Sequence, residues 1–425
     1  MWSSYDDHSE AEFAVHSICQ KELVEAAETF QFDPPEGDDP IRLLVIGCAT
    51  GRNDCLTLKR FILPVIRRRF PESEIEIVFA DVPETEWAQV KKNSQAILET
   101  AFPSLFVSLV PGTFTSQLVS SSSVHLVICL SCIHWIEKVP EGLSPLTVSY
   151  EGACDEERRL FRDASRDALQ NFFRHRVKEL KKGGTLVVSM DGEGDGMRAQ
   201  VSGGVLCLDA AIREVREEQQ QEKGEEGGSA GRKREPVAKG FCIRGVPGTR
   251  EELLKAARRA RCGVSGQAEV DCGGGDQLYP VCLSLHRVEC PLLARWQHEK
   301  MESLNGAALQ KGGPAFTVAA AHPPDGADCA FGDALSEMMK ACFARELVED
   351  CAQGLASSGT NGVAAGGSGM GCQNHLLSEG CVSAAEEEAE RVWRTVSEVA
   401  AKNPPRFSTE GGTLVGLFRK LTGED

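Results

Sequence analysis

Two glycines four positions apart, Gly47 and Gly51, close one apolar run and open a helical pattern, with Cys48-Ala49-Thr50 between them and Arg52-Asn53 after. The turn lacks the GxGxxG spacing that brings backbone against a pyrophosphate and seats it on a helix N-terminus. Its chemistry therefore favours a ligand without phosphates. Asp81 ends the next apolar run and suits a carboxylate that accepts from two ribose hydroxyls. A third run leads to Pro111-Gly112-Thr113-Phe114, where the hydroxyl and ring could meet an adenine. The fourth stops at Ser131-Cys132-Ile133-His134-Trp135.

In an open parallel sheet, ligands sit beyond the carboxyl ends of the strands, near the point where strand order reverses. Gly47, Gly51, Asn53, Asp81, Thr113, Phe114 and Ser131 all fall at such ends, and as a set they fit S-adenosylmethionine better than NAD. Each also has a plainer reading. A GxxxG turn can be punctuation, and an aspartate after a strand is often a helix cap.

The elements that must place these residues follow from periodicity. Strands are expected at Ile41–Ile46, Ile75–Ala80, Leu105–Val110, Val124–Leu130 and Thr185–Met190, with later ones at Val281–Val288 and Thr413–Leu417. Helices are expected at Glu10–Phe30, from Asp54 onward, and at Phe161–Leu180, Arg250–Arg261, Ala334–Cys351 and Ala384–Val399. Pro64 predicts a kink or early end in the second of these. Alternating β and α with largely apolar strands means an α/β fold whose parallel sheet is buried on both faces. Residues 1–190 should form the ligand-binding core with an N-terminal helix. Residues 191–410 should form a mainly helical cap with late strands, including Glu251–Ala260, and residues 411–425 the final strand of the core sheet. Two stretches, 217–235 and 354–371, are polar or rich in Gly, Ala and Ser and read as disordered surface insertions.

With 46 Lys+Arg against 63 Asp+Glu, the 425-residue chain carries a formal charge of −17, which disfavours nucleic-acid partners. No apolar run approaches the roughly 20 residues of a membrane span, and the N-terminus lacks a secretory signal, so a cytoplasmic location is expected. The 17 cysteines are an odd number scattered through predicted elements. They read as buried small hydrophobes rather than a disulfide framework. Cys129-Leu130-Ser131-Cys132 has no second CxxC or HxxxH to complete a zinc site, and no metal is expected.

The chain resembles the plant-type SABATH methyltransferases. The resemblance is carried by Phe106 to Phe114, by His125 through Ile133-His134-Trp135 to Leu143, and by Glu179-Leu180-Lys181-Lys182-Gly183-Gly184. The near-N-terminal Ser4-Tyr5…His8-Ser9 and Phe331-Gly332 add to it. It implies a Rossmann-like, seven-stranded class I methyltransferase sheet with a mainly helical cap, S-adenosyl-L-methionine as cofactor, a small carboxylic acid as substrate, and a possible homodimer. It implies that Tyr5, Gly47, Asn53, Asp81, Thr113 and Phe114 contact the methyl donor. His134 and Trp135 would line the substrate site, where the indole N–H, a donor only, holds a substrate oxygen.

Three departures accompany the match. Glu12 stands where the family usually has a glutamine that binds the substrate carboxylate, Val45 replaces an aspartate, and Ser131 replaces an aromatic. Glu12 then has three readings: protonated and sharing a hydrogen with the acid, selecting a substrate with an N–H or a cation, or solvated on the first helix. The expected reaction is direct SN2 transfer to a carboxylate. It needs no catalytic base, because the acid is already ionised at neutral pH. N-methylation of a small heterocycle, a silent binding protein on the same fold, and a nicotinamide-dependent oxidoreductase are the alternatives.

Overall fold

The computed structural model describes residues 9–31, 39–194, 199, 202–225, 239, 241–260, 277–288, 379–402 and 411–421, with scattered positions from 333 to 352. Tyr5, Phe331-Gly332, the stretch 354–371 and residues 226–235 of the other expected insertion lie outside the described residues.

Helix α1 spans Glu10–Ile18 and α2 Gln20–Thr29, so the single helix expected over this stretch is two, divided at Cys19. The break lets Val15 of the first and Leu23, Ala26 and Ala27 of the second bury in one core. Strand β1, Ile41–Ile46, runs into the glycine turn and α3, Arg52–Thr57. A π-helical stretch, Leu58–Ile62, precedes α4, Leu63–Arg69, which has Pro64 in its first turn. The kink expected from Pro64 is thus absorbed one turn earlier, as wider backbone winding that needs no N–H from the proline.

Next come β2 at Ile75–Asp81, α5 at Trp87–Ser94, β3 at Leu105–Pro111 and β4 at Val124–Cys129. The long α6, Asp155–Glu179, leads directly into β5, Leu180–Gly192, which begins five residues before the expected strand. Helix α7, Ser202–Glu225, is followed by α8, Arg250–Arg259, β6, Gln277–Val288, α9, Glu379–Lys402, and β7, Gly411–Leu421.

The seven strands form one sheet in the order β3-β2-β1-β4-β5-β7-β6. Strands β1 to β5 are parallel, and β7 runs antiparallel between β5 and β6. Order reverses between β1 and β4, so the crevice a ligand would use opens there. Strand residues alternate between two cores, as period-2 side chains must. Ile41, Leu43 and Val45 face α1 to α4, while Leu44 and Ile46 face α6 and α8.

A third core belongs to the cap, where Val205, Leu208 and Ile212 of α7 meet Val392, Trp393 and Val396 of α9. Two expectations change here. Helix α7 continues through residues 217–225, which were expected as part of a surface insertion, because its other end buries in the cap. Helix α8, expected in the cap, instead covers the sheet. Its stripe of Leu253, Ala256 and Ala257 joins the core of β4, β5 and α6, small residues that allow close approach to a strand layer.

Candidate active site

The turn after β1 is wound through three left-handed residues, Gly47 (φ 78°), Ala49 (φ 48°) and Gly51 (φ 76°). For Ala49 this conformation costs roughly 1 kcal/mol or more and needs support from its surroundings. Asp81, at the end of the adjacent β2, provides it. Its Oδ2 accepts from the Ala49 N–H at 2.7 Å and its Oδ1 from the Val82 N–H at 2.7 Å. Asp81 is therefore not a helix cap but a brace holding the turn from the next strand. Burial pushes its carboxyl up, while those two amides, the Thr85 hydroxyl and the Cys48 thiol pull the other way. Asn93 of α5 also donates to the Thr50 carbonyl at 2.9 Å.

Across the switch point, Ser131 is also left-handed (φ 53°) and donates its N–H to Ser189 Oγ of β5 at 3.0 Å. Cys132 fills the space over Gly47 so closely that a Cβ there would lie 2.5 Å from the cysteine Cβ. The lone CxxC thus packs the two strand ends together. Strained non-glycine residues gather where function demands it, and here Ala49 and Ser131 flank one crevice. Among the described residues, the other two left-handed non-glycines, Ser104 and Ser122, lead into the opposite ends of β3 and β4.

The loop after β3 forms a further wall. The Phe114 ring meets Phe172 of α6 edge-on at 6.1 Å, and Thr113 Oγ1 lies 3.1 Å from Thr115 Oγ1. Thr115 in turn donates to Glu137, just beyond Trp135, so the loops after β3 and β4 are joined.

The substrate-side residues also converge. His134 is buried, and its Nδ1 accepts a long hydrogen bond, 3.5 Å, from the backbone N–H of Asp191 near the end of β5. That leaves the ring proton on Nε2. Burial lowers its pKa to about 3, so the ring is neutral. The Trp135 ring lies between His134 (5.1 Å) and Phe343 of the cap (6.0 Å), with Gly245 so close beneath that an added Cβ would touch the ring at 3.4 Å. Core and cap meet at this residue.

Glu12 of α1 is not solvated. Its Oε2 is buried without a hydrogen-bond partner, and burial, with repulsion from Asp191, raises its pKa to about 7. Asn53 stands in the first turn of α3. Its amide donates to Ser9 Oγ at 3.2 Å and to the Ser9 carbonyl at 3.4 Å, tying the segment before α1 to the start of α3.

Sequence reasoning missed two acids. Asp191 sits near the end of β5, where the strand-end logic already applied to β1 to β4 would have found it. Asp54 is buried in the first turn of α3, where burial and Asp81 hold its carboxyl well above the usual range. The residues fit a phosphate-free cationic ligand. The turn is braced by the Asp81 carboxylate, and Asp54 lies within electrostatic reach of it. A carboxylate accepts hydrogen bonds from hydroxyls and from an ammonium. Among the described residues, no cluster of three or more His, Cys, Asp or Glu is arranged to hold a metal ion.

A family model described as SAM dependent carboxyl methyltransferase matches residues 2–223. Gibberellic acid methyltransferase 2 of Arabidopsis thaliana is 24% identical over 213 residues, 46% of this chain and 54% of that protein. Salicylate/benzoate carboxyl methyltransferase of the same plant is 29% identical over 33% of this chain and 39% of its own length. The chain thus spans about half the length, or less, of these relatives. The solved structure of a loganic acid methyltransferase with SAH superposes with a TM-score of 0.64 over 98% of this chain and 96% of that one, at 15% identity, which shows the shared fold.

Proposed function

The chain belongs to the S-adenosylmethionine-dependent carboxyl methyltransferase family, and from that premise we propose that it transfers the sulfonium methyl to a carboxylate oxygen of a small organic acid. The observation that carries the reading is convergence. The Asp81-braced turn of β1 and the His134-Trp135 pair after β4 meet where strand order reverses between β1 and β4. Gly47, Gly51, Asn53, Asp81, Thr113, Phe114 and Ser131 would hold the donor, with Tyr5 joining them from outside the described residues. The bound donor supplies an electrophilic methyl on a positively charged sulfur. Methyl transfer then requires alignment and exclusion of water, not a base, because the acid arrives ionised. His134, neutral with its proton on Nε2, is unsuited to accept one at that atom.

Trp135 would present its indole N–H to the substrate carboxylate. Trp135→Phe keeps the aromatic wall between His134 and Phe343 and removes only that donor. A hydrogen bond to a charged group contributes about 1.5–3 kcal/mol, so kcat/KM for the acid should fall roughly 10- to 100-fold. Calorimetric affinity for S-adenosylhomocysteine should stay as in wild type. A fall in donor affinity instead would move Trp135 to the other half of the site.

Glu12 gives the reaction its pH dependence. Below about pH 7 the carboxyl is protonated and can donate to the substrate carboxylate; above it, the charged group repels an acid. Turnover of acids should therefore decline as pH rises through 7. Glu12→Gln should flatten the profile, with about tenfold higher turnover than wild type at pH 8, where one carboxyl in ten is protonated. The same buried, unpartnered Oε2 supports a second reading, methylation of a nitrogen whose N–H or charge Glu12 would meet. Under that reading Glu12→Gln lowers turnover at every pH.

A cytoplasmic location and a homodimer complete the proposal; they rest on cysteine usage and on the family resemblance. Among the described residues no helix is long and apolar enough to cross a membrane. The experiment that tests the reading as a whole is calorimetric titration of the full chain with S-adenosylhomocysteine. One site of micromolar affinity or tighter, of the order of −8 kcal/mol, is expected, and no heat of binding would favour a silent scaffold.

A further inference from the structure

Helix α6 sends three side chains from one face into the loop that follows β3. Phe172, Arg176 and Glu179, at spacings of four and three, are all fully buried. Arg176 donates through Nη1 to the Phe114 carbonyl at 3.2 Å and through Nη2 to the Ser116 carbonyl at 2.9 Å. Glu179 Oε1 accepts from the backbone N–H groups of Leu118 at 2.5 Å and Val119 at 3.2 Å. The two side chains pair with each other, Nε to Oε2 at 2.7 Å and Nη2 to Oε1 at 3.0 Å. The guanidinium also lies 5.2 Å from the Phe172 ring centre, the ring that Phe114 meets edge-on.

A fully buried ion pair is a poor stabiliser, since desolvating both charges offsets much of their attraction, and well-packed apolar residues in its place are often neutral. What this pair does that an apolar pair could not is satisfy four backbone groups of one loop. Two carbonyls at its start take hydrogen bonds from Arg176, and two amides at its end give hydrogen bonds to Glu179. This irregular segment at the carboxyl edge of the sheet is thereby fixed at both ends from beneath.

We propose that Arg176 and Glu179 are positioning residues for the methyl donor, holding the 113–119 loop so that Thr113 and Phe114 present a preformed adenine wall. The inference rests on the donor-site reading above. It concerns how the wall is held and not which acid is methylated, and neither residue touches the donor itself.

The test compares wild type with Arg176→Met/Glu179→Leu, which removes both charges together, and with Arg176→Lys, which keeps the charge but loses the fork that spans two carbonyls. Hydrogen exchange of the ligand-free proteins reads the loop directly. In the double variant the Leu118 and Val119 amides should exchange about tenfold faster or more, while core strand amides keep their protection. Affinity for S-adenosylhomocysteine should fall roughly tenfold, and the KM for the methyl donor should rise likewise with kcat within about twofold. Arg176→Lys should fall between the two. Unchanged exchange and affinity in a folded double variant would overturn the proposal, as would global unfolding of both variants, which would make the pair a determinant of the fold instead. If wild type itself fails to bind S-adenosylhomocysteine, the donor-site reading fails, while the exchange result still reports on the loop.

Discussion

Replacing Gly47 with alanine should abolish methyl-donor binding and markedly destabilise the protein. The residue stands at φ 78°, a left-handed conformation that costs an alanine roughly 1–2 kcal/mol. The added Cβ would also lie 2.5 Å from Cys132 Cβ and 2.6 Å from its Sγ, closer than such atoms can come. The clash falls between the two strand ends that form the crevice, so relief requires parting β1 from β4 or displacing the turn. Overpacking of this kind costs about 1–3 kcal/mol more. Together these predict a loss of S-adenosylhomocysteine affinity beyond roughly 100-fold, or a protein too unstable to bind at all. Gly47→Ala/Cys132→Gly removes the clash but keeps the strained φ, and should recover part of the affinity and of the melting temperature. If Gly47→Ala alone binds as wild type does, the turn is not part of the donor site.

Asp81→Asn should have the second largest effect, for a different reason. The carboxylate accepts from the Ala49 and Val82 amides, and an asparagine of the same shape offers an oxygen to only one of them. Its NH2 then opposes a backbone N–H, a conflict of about 1–3 kcal/mol that unlocks the left-handed turn at Ala49. The charge that would hold ribose hydroxyls is lost in the same change. Donor affinity should drop about 100-fold, while melting falls by only several degrees. The wild-type carboxyl is raised by burial, so its ionised form is lost first as pH falls. Wild-type donor affinity should therefore weaken on acidification, and that of Asp81→Asn should not. Equal affinities at neutral pH would leave Asp81 a purely structural brace.

Strand ends were the legible part of the sequence. Apolar runs stopping at Gly47, Asp81, Pro111 and Ser131 locate a sheet whose carboxyl edges carry the chemistry, because a parallel strand buried on both faces reads as an uninterrupted apolar string. The antiparallel insertion of β7 between β5 and β6 is not visible in composition, since pairing partners far apart in the chain leave no local mark. Helix α8 was assigned to the wrong layer for a related reason. An amphipathic stripe states that a helix buries one face, not which core receives it.

Side-chain roles were less legible than positions. Glu12 by its type reads as a solvated residue, and only the packing of α1 against the core reveals a buried carboxyl opposed by Asp191. The amide of Asn53, a residue expected at the donor, also donates to Ser9, a partner 44 residues away that no spacing rule would name. Glu179 was singled out for the motif it begins, yet its work is at Leu118 and Val119, some 60 residues earlier.

Carboxyl methylation itself can be read by incubating the full chain with methyl-labelled S-adenosylmethionine and a panel of small carboxylic acids, then treating the products with mild base. Label is expected in a product that base returns to free acid and methanol, as an ester must. Label retained in a base-stable product, or none transferred to any acid by a protein that binds the donor, would contradict it.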